Sequence, residues 1–489
     1  MSKMSLLFSS SEVYPFAKSG GLADVAYSLP RVLSSEYDVH VFMPLYQFIN
    51  RERFNIKTLG EHFNIMMGGM KYPVELYGCK YEGLDYRFIY SPLLCDREFL
   101  YGPPEGCYKD NAIRFGIFNY AIVTLLKRDR YDIAHLNDWQ SALVPLLINE
   151  DKAIQTKTLF TIHNLAYQGV FESSVLKELG IDDKYFSMEG LEFYGQVNFM
   201  KAGIAYADMI TTVSPTYAKE ILTTEFGCGL EGFLRVHRNK LAGIVNGIDM
   251  EHFSPSDDKA LIAPYVDLRG KAVNKRVYLK DINLKGINKP LFIFIGRFTW
   301  QKGIDLLIEA LSKMVLLECN IAILGEGEEK YYDALKIIAE KYSNVHLEFG
   351  YDESLSHRMY AAADFLLMPS LFEPCGLAQM IAMHYGQIPI VHHVGGLVDT
   401  VYHYEDFNAK TAKKKGYGIV FSKPSVSLFL KAIDQALALY KTKKIYYNKV
   451  VKYNMLCDFS WNESAKLYVQ LYRIMIKSGI KLLEERSDG

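Results

Sequence analysis

Short apolar runs alternate with amphipathic stretches along almost the whole chain, and this alternation constrains the fold more than any other feature. Runs that are apolar throughout, such as LFIFIG and DFLLMP, are typical of parallel strands with both faces covered. Strands that alternate with helices indicate right-handed βαβ units. The predicted strands are 5–9, 38–43, 131–136, 157–162, 209–213 and 241–245, followed by 290–296, 320–324, 345–349, 365–369, 387–391 and 417–421.

A polar stretch around 250–288 separates the two sets of strands, and the domain boundary is predicted there. The chain has 489 residues, enough for two hydrophobic cores. We therefore expect an α/β protein of two doubly wound Rossmann-like domains, over residues 1–250 and 251–460. The basic cluster KTAKKKG at 410–416 is predicted to be a solvated loop.

Charge and cysteine content argue against several classes of partner. The formal net charge is -1, so there is no global electrostatic basis for binding nucleic acid or an anionic membrane. The seven cysteines are scattered without a CxxC motif, which argues against a disulfide framework or a zinc site and is typical of a reducing compartment. The apolar run near the start is too short for a signal peptide, and none reaches the roughly 18 residues of a membrane span. The expected location is the cytoplasm.

Cations and glycines follow two of the predicted strands, where open parallel sheets bind their ligands. The segment KSGGLADV contributes Lys18, Gly20 and Gly21 between strand 5–9 and a predicted helix. In RFTWQKG, Arg297 and Lys302 occupy one short loop before a helix that is predicted to begin near Gly303. A cation pair beside a helix N-terminus is suited to a pyrophosphate, although two exposed surface cations remain an alternative.

Polar side chains follow three further strands. Glu373 precedes Pro374 in LFEPCGLAQ and is suited to accept hydrogen bonds from sugar hydroxyls. Alternatively, its negative charge only stabilises the N-terminus of the following helix through the helix dipole. His163 and Asn164 end one strand, and Asp138 ends its predicted neighbour. A lone histidine in this position is usually a satisfied core residue. The polar groups nearby raise the case for a functional site until the two interpretations have equal support.

Several phosphate-binding motifs do not occur in the sequence. No GxxxxGK[ST] is present, so a P-loop is not supported. The GxG that follows strand 320–324 lacks the third glycine, which disfavours a dinucleotide oxidoreductase. There is no DxD triplet to bridge a metal to a diphosphate, and Lys18, Arg297 and Lys302 could supply the neutralising charge instead.

The chain resembles bacterial glycogen synthases and plant starch synthases nearly end to end. The resemblance rests on KSGGLADV, HNLAYQG, GLEFYGQVNFMKAG, VSPTYAKE, VNGID, GRFTWQKGIDLL, FEPCGLAQ, GGLVDTV and DFSW, in that order. It implies a glycosyltransferase-B fold, two Rossmann-like domains facing a deep cleft. The first would be the acceptor side, joined by a C-terminal helix over 461–489, and the second the nucleotide-sugar side.

The resemblance implies a role in glycogen biosynthesis: transfer of glucose from ADP-glucose to the non-reducing end of an α-1,4-glucan, with retention. The missing DxD triplet predicts that no metal is required. The implied catalytic residues are His163, Glu373, Arg297 and Lys302. The implied donor-binding residues are Lys18, Gly20, Gly21, Asn246, Tyr351, Cys375, Gly376 and Leu377. Asp138 and Asn164 are implied as contacts of the acceptor or the glucose.

Three departures from the family pattern concern fine contacts. Asn137 replaces the second histidine of HxHDW, Gly296 and Phe298 flank Arg297 where the family has SRL, and Ala378 replaces a threonine. Two alternatives within the family stay open: a glucosyltransferase that uses UDP-glucose or another acceptor, and a catalytically silent polysaccharide-binding relative. The retained cations, His163 and Glu373 argue against the silent relative.

Overall fold

The structure, a computed structural model, describes residues 3–103, 106–410 and 415–487, with side chains described as far as residue 477. Four residues of the KTAKKKG cluster, 411–414, lie outside the described residues. The chain divides into two compact units, Met1–Asn246 with Trp461–Gly489, and Gly247–Ser460. No helix within the described ranges is long and apolar enough to cross a membrane.

The first unit is built on a mixed sheet. Its strands are β1 (Ser5–Ser9), β2 (Asp38–Pro44), β3 (Lys57–Met67), β4 (Met70–Tyr81), β5 (Leu84–Tyr90), β6 (Ile133–Asn137), β7 (Lys157–Ile162), β8 (Val170–Phe171), β9 (Glu192–Phe193), β10 (Gln196–Asn198), β11 (Met209–Thr212) and β12 (Leu241–Gly243). Among the described residues, the large sheet has the order β12-β11-β7-β6-β1-β2-β5-β4-β3, and β8-β10-β9 form a small second sheet. All six strands that the sequence predicts for this half are confirmed.

The first unit also contains helices that lie between its strands in the chain. They are α1 (Gly21–Leu33), α2 (Pro92–Cys95), α3 (Asn111–Asp129), α4 (Val144–Glu150), α5 (Val175–Leu179), α6 (Phe199–Tyr206), α7 (Pro215–Glu220) and α8 (Glu231–Val236). Strands β3, β4 and β5 were not predicted and pair antiparallel with one another. Most of β3 is solvent-exposed, so it lacks the apolar run that identifies a buried parallel strand.

The second unit is a parallel doubly wound sheet. Its strands are β13 (Leu291–Ile295), β14 (Asn320–Gly325), β15 (Val345–Phe349), β16 (Phe365–Met368), β17 (Ile388–His392), β18 (Val401–His403) and β19 (Gly416–Phe421). Its helices are α9 (Leu268–Asp281), α10 (Ile304–Met314), α11 (Tyr332–Lys341), α12 (Glu353–Ala362), α13 (Ala378–His384), α14 (Gly396–Thr400), α15 (Val426–Thr442) and α16 (Lys444–Met455). The described strands run in the order β15-β14-β13-β16-β17-β19-β18. The polar stretch 250–288 is not a plain linker, because it contains α9.

The last helix, α17 (Asn462–Ser487), belongs to the first unit. Tyr472 on this helix is fully buried, and its hydroxyl lies 2.7 Å from Nδ1 of His135 in β6. Closer to the surface, Arg473 forms an ion pair with Glu36 at 2.8 Å. The first unit is therefore completed by residues from the far end of the chain.

A buried ion pair anchors α9 to the second sheet. Lys275 Nζ lies 2.6 Å from Asp364, which also accepts the backbone N–H of Leu291 at the start of β13. Both side chains are less than a tenth exposed. Breaking a buried pair by removing one partner leaves an uncompensated charge, at a cost of about 3–5 kcal/mol.

Lys275→Met is therefore expected to lower the free energy of unfolding of the second unit in urea by about 3–5 kcal/mol. Lys280→Met, on the exposed face of the same helix, is the matched control and should change it by less than about 0.5 kcal/mol. The unfolding of both variants in urea is followed by circular dichroism, which gives the midpoint of each. Equal midpoints for the two would contradict the anchoring role of this pair.

Candidate active site

Lys18 lies in the connection between β1 and α1. Its Nζ is 2.7 Å from Asp24 in the first turn of α1 and 5.5 Å from the centre of the Tyr14 ring. About a quarter of the Lys18 side chain remains exposed. Gly20 and Gly21 form the start of α1, so the predicted strand-to-helix connection is present. The lysine is therefore held in position and still accessible to solvent.

Glu12 shapes this loop, and the sequence analysis did not identify it. The residue is 4 % exposed, and its carboxylate accepts hydrogen bonds from the backbone N–H of Ser19 (2.5 Å) and Gly20 (3.2 Å). The hydroxyls of Ser19 and Tyr101 donate to its other oxygen, each at 2.7 Å. A buried carboxylate needs several donors, and these donors fix the backbone beside Lys18. A glutamate three residues after a strand and six before Lys18 was the available signal.

The carboxyl ends of β6 and β7 bring Asp138 and His163 together. These strands are parallel neighbours, and the backbone N–H of His163 donates to Asp138 Oδ1 at 2.7 Å. His163 Nε2 lies 2.8 Å from Asn137 Oδ1, whose own amide nitrogen donates to the carbonyl of Ser9 in β1. Asn137 therefore orients the His163 ring, which explains how the chain accommodates asparagine where the family pattern has histidine. Asn164 follows directly in the same loop.

Burial controls the charge of both groups. It lowers the pKa of His163 to about 3, so the imidazole is neutral at pH 7. Burial raises the pKa of Asp138 to about 7, although backbone N–H groups of His163 and Asn164 oppose the shift. Asp138 also has φ of +54°, a conformation that is uncommon for residues other than glycine and that is found at turns and at functional sites.

The raised pKa of Asp138 predicts a pH dependence of stability. Between the unfolded value of 3.8 and the folded value of about 7 the folded state binds more protons, so this group's contribution to stability is lost as the pH rises through 7. Asp138→Asn should remove that dependence. From pH 5 to pH 8 we expect the variant to gain on the order of 2 kcal/mol relative to the wild type. Parallel melting temperatures of the two proteins across this range would contradict the shift.

In the second unit, the loops after β13 and β16 lie against each other. Arg297 directly follows Gly296 at the end of β13, and a single helical turn, Trp300–Lys302, leads to α10. The carbonyl of Gln301 accepts backbone N–H groups from Leu371 and Phe372 in the loop after β16. Gly303 has φ of +69°, and a Cβ there would lie 2.1 Å from the carbonyl oxygen of Pro369. Only glycine permits this approach of the two loops.

The loop contact joins Lys302 to Glu373. Lys302 Nζ lies 2.7 and 2.9 Å from the two carboxylate oxygens of Glu373, and the Ser370 hydroxyl donates to the same carboxylate at 2.9 Å. Glu373 is 5 % exposed, whereas a quarter of the Lys302 side chain is exposed. The sequence assigned these two residues to different parts of the donor, and the structure brings them together as an ion pair.

The start of α14 fixes the backbone of the Cys375–Leu377 segment. The backbone N–H of Gly396 lies 3.0 Å from the carbonyl of Glu373 and 3.1 Å from that of Pro374. A Cβ at Gly396 would lie 2.3 Å from Cys375 backbone atoms, so the close approach requires glycine. Gln379 donates to the carbonyls of Cys375 and Gly376. The Cys375 thiol is buried, so this segment presents backbone rather than a nucleophile.

Two residues with weaker sequence support lie at other strand ends. Asn246 follows β12; it is 6 % exposed, and its Oδ1 is buried without a hydrogen-bond partner in the described part of the chain. Such an atom is suited to a ligand donor. Tyr351 follows β15, two positions from β13 in the sheet order, and is 60 % exposed.

Comparison with known proteins identifies the family. The model of the starch synthase catalytic domain matches residues 5–236, and that of group 1 glycosyl transferases matches residues 279–452. The glycogen synthase of Aquifex aeolicus is 43% identical over 475 residues, which cover 96% of this chain and 98% of that protein. The chain belongs to the glycogen synthase and starch synthase family. The glycogen synthase of Syntrophotalea carbinolica is 40% identical over 482 residues, 96% of this chain and 98% of that protein.

A solved structure of the glycogen synthase and starch synthase family confirms the fold. The catalytic domain of starch synthase IV from Arabidopsis thaliana, bound to ADP and acarbose, has a TM-score of 0.91 and 32% identity and covers 97% of this chain and 100% of that one. The predicted α/β fold of glycosyltransferase-B type is therefore confirmed. This member of the family is a retaining glucosyltransferase of the glycogen synthase type.

Proposed function

We propose that this enzyme uses ADP-glucose as donor and the non-reducing end of an α-1,4-glucan as acceptor, and releases ADP. The observation that carries the donor assignment is the match over 97% of the chain to a starch synthase that is bound to ADP and to acarbose. The same likeness supports residues 251–460 as the nucleotide-sugar side and residues 1–250 with 461–489 as the acceptor side.

The second unit supplies the charge that the leaving group requires. Departure of ADP places negative charge on the phosphate oxygens, and cations that stabilise this charge more in the transition state than in the ground state raise the rate. Arg297 and Lys302 are proposed to act there. Glu373, which forms an ion pair with Lys302, is proposed to accept hydrogen bonds from glucosyl hydroxyls as the lysine turns to the phosphate.

The proposed bond changes are a front-face substitution. The bond from the glucose anomeric carbon to the phosphate oxygen breaks, and a bond forms from that carbon to the acceptor hydroxyl oxygen. The hydroxyl proton passes to a departing phosphate oxygen. His163 has a pKa of about 3 and is neutral, so it is proposed to lie by the glucose as a polar neighbour and not as a proton donor.

The remaining assignments are part of the same proposal. Lys18, Gly20 and Gly21 would contact the donor phosphate and the acceptor, Asn246 and Tyr351 the donor, and Asp138 with Asn164 the glucose or the acceptor. Cys375, Gly376 and Leu377 would contact the donor through their backbone. No catalytic metal is proposed, because the cations replace it. The proposed location is a reducing cytoplasm, which is supported by the seven free cysteines, four of them buried.

One assay tests the donor, the acceptor and the need for a metal. Purified protein is incubated with glycogen and labelled ADP-glucose or UDP-glucose, with and without EDTA, and polymer-bound label is counted after precipitation. We expect label from ADP-glucose, insensitive to EDTA and released by an α-1,4-specific amylase. Preference for UDP-glucose would move the enzyme to the related glucosyltransferase class. No transfer from either donor would indicate a polysaccharide-binding relative, and loss in EDTA would overturn the metal-free mechanism.

A further inference from the structure

Two histidines and a glutamate lie close together in the second unit, and the proposed transfer reaction uses none of them. They are His252, Glu353 and His357, and one ligand atom from each lies within 4.8 Å of the others. Across the described ranges this is the one group of three histidine, cysteine or carboxylate side chains that converges in this way. We propose that these three residues bind a divalent transition-metal ion, with zinc as the best fit.

The local structure preorganises the three side chains. Glu353 and His357 are four residues apart on α12, so they lie on the same face of the helix, one turn apart. His252 comes from the turn that follows Asp249, whose carboxylate accepts the backbone N–H groups of Glu251 and His252, both at 3.0 Å. His252 Nε2 already lies 3.1 Å from Glu353 Oε1. The ligand set therefore joins the first residues of the second unit to α12.

A buried, unpaired nitrogen of His357 points to an ion. The side chain is buried, and its Nδ1 lies 2.7 Å from Asp258 Oδ2. Its Nε2 is also buried, and it has no hydrogen-bond partner among the described residues. A buried polar atom left unpaired is destabilising, so native proteins nearly always satisfy it. A metal ion bound to Nε2 would do so.

The groups behind His357 match those that support metal-bound histidines. A histidine ligand normally donates its second ring N–H to a carboxylate, which fixes the tautomer and increases the basicity of the metal-binding nitrogen. Asp258 takes this position, and the Tyr385 hydroxyl donates to the same carboxylate at 2.6 Å. The supporting carboxylate is therefore itself held in place.

The type of ligand selects the metal. Two imidazoles and one carboxylate are a common zinc set, whereas magnesium and calcium prefer oxygen ligands. Tetrahedral zinc at about 2.0–2.1 Å from its ligands requires ligand atoms roughly 3.3 Å apart, so atoms that now lie within 4.8 Å of one another would close by up to about 1.5 Å on binding. About a third of the His252 and Glu353 side chains is exposed, which leaves an entry path and room for a water as fourth ligand.

The alternative is two ordinary histidine–carboxylate pairs without an ion. The second unit has such pairs at His346–Glu348 and His403–Glu405, both with N–O distances of 3.6 Å between residues two apart in sequence. Neither belongs to a group of three among the described residues. His346 therefore provides a matched control, a partly exposed histidine beside a glutamate without the third ligand.

The test measures zinc binding on the full-length protein. Exposed Cys107 and Cys228 could bind zinc, so the Cys107→Ser/Cys228→Ser double variant is the background. After EDTA treatment and gel filtration, zinc is titrated by calorimetry and bound metal is counted by mass spectrometry. We expect one equivalent at micromolar zinc and a melting temperature raised by several degrees, because a ligand of the native state stabilises it. Cobalt should give the visible spectrum of a tetrahedral nitrogen and oxygen site.

Variants locate the ion. His252→Gln is solvent-accessible and should fold; we expect it to lose the bound equivalent and the thermal shift, as should His357→Gln. His346→Gln should retain both. The proposal is overturned if the background protein binds less than half an equivalent, or if His252→Gln binds zinc as tightly as His346→Gln. Glucosyl transfer by the zinc-free protein is a separate readout: its failure would count against the metal-free mechanism and not against this site.

Discussion

Arg297→Ala is expected to lower kcat for glucosyl transfer by roughly 10²–10³, while binding of glycogen changes less than twofold. The guanidinium lies at the carboxyl end of β13, at the loop proposed to contact the diphosphate, and removing one donor to developing charge typically has an effect of this size. Initial rates with labelled ADP-glucose measure kcat, and co-sedimentation with glycogen measures binding.

Lys302→Ala should lower kcat to a similar extent and also lower stability. Glu373 is 5 % exposed and would lose the cation that contacts both of its oxygens, and a buried charge without its partner is destabilising. Lys313→Ala, at the exposed end of α10, is the control and should leave rate and melting temperature unchanged. Near-wild-type rates in both Arg297→Ala and Lys302→Ala would remove these residues from the diphosphate site.

Lys18→Ala is expected to lower the rate of transfer by about 10² while ADP still binds. The amine is held between Asp24 and the Tyr14 ring, so it is positioned before substrate arrives. Its charge is proposed to act on the phosphate during transfer, whereas the proposed ADP contacts lie mainly in the second unit. Calorimetry with ADP measures binding, and labelled donor measures transfer.

Asp24→Asn is the companion variant for Lys18. It keeps the cation but removes the carboxylate at 2.7 Å, so we expect a smaller loss of rate than in Lys18→Ala. If Lys18→Ala transferred glucose at the wild-type rate, this lysine would have a structural role in the loop and no role in the reaction. Loss of ADP binding in Lys18→Ala would instead place the residue in donor binding.

The buried parallel strands could be predicted from the sequence, because a strand covered on both faces needs a short apolar run and the polar segments around it mark its ends. Strands β3 to β5 could not be found in this way, since exposed residues interrupt the apolar pattern of β3 and β4, and the half-buried Asp85 and Arg87 interrupt that of β5. The two-residue turns at Gly68–Gly69 and Glu82–Gly83 were the available signal. Helix α9 was missed because half of its residues are charged or amide and its buried residues include Lys271 and Lys275.

The site residues could be named from their motifs, but their partners could not. The Lys302–Glu373 pair depends on β13 lying beside β16 in the sheet, and strand order is a property of the tertiary structure. The same holds for Asn137 and His163, which meet because β6 pairs with β7. Glu12 lies only six residues before Lys18, yet its role appears only when its four donors are in place.

The return of α17 to the first unit has a consequence for synthesis on the ribosome. Residues 247–460 form a continuous segment, so the second unit can fold as soon as it has emerged. The first unit is synthesised earlier but lacks Tyr468 and Tyr472, which pack against His135 beside the strand end that carries Asp138. Its core therefore lacks these two side chains until α17 has been synthesised. A stop codon before Trp461 would leave the second unit whole and the first unit unfinished.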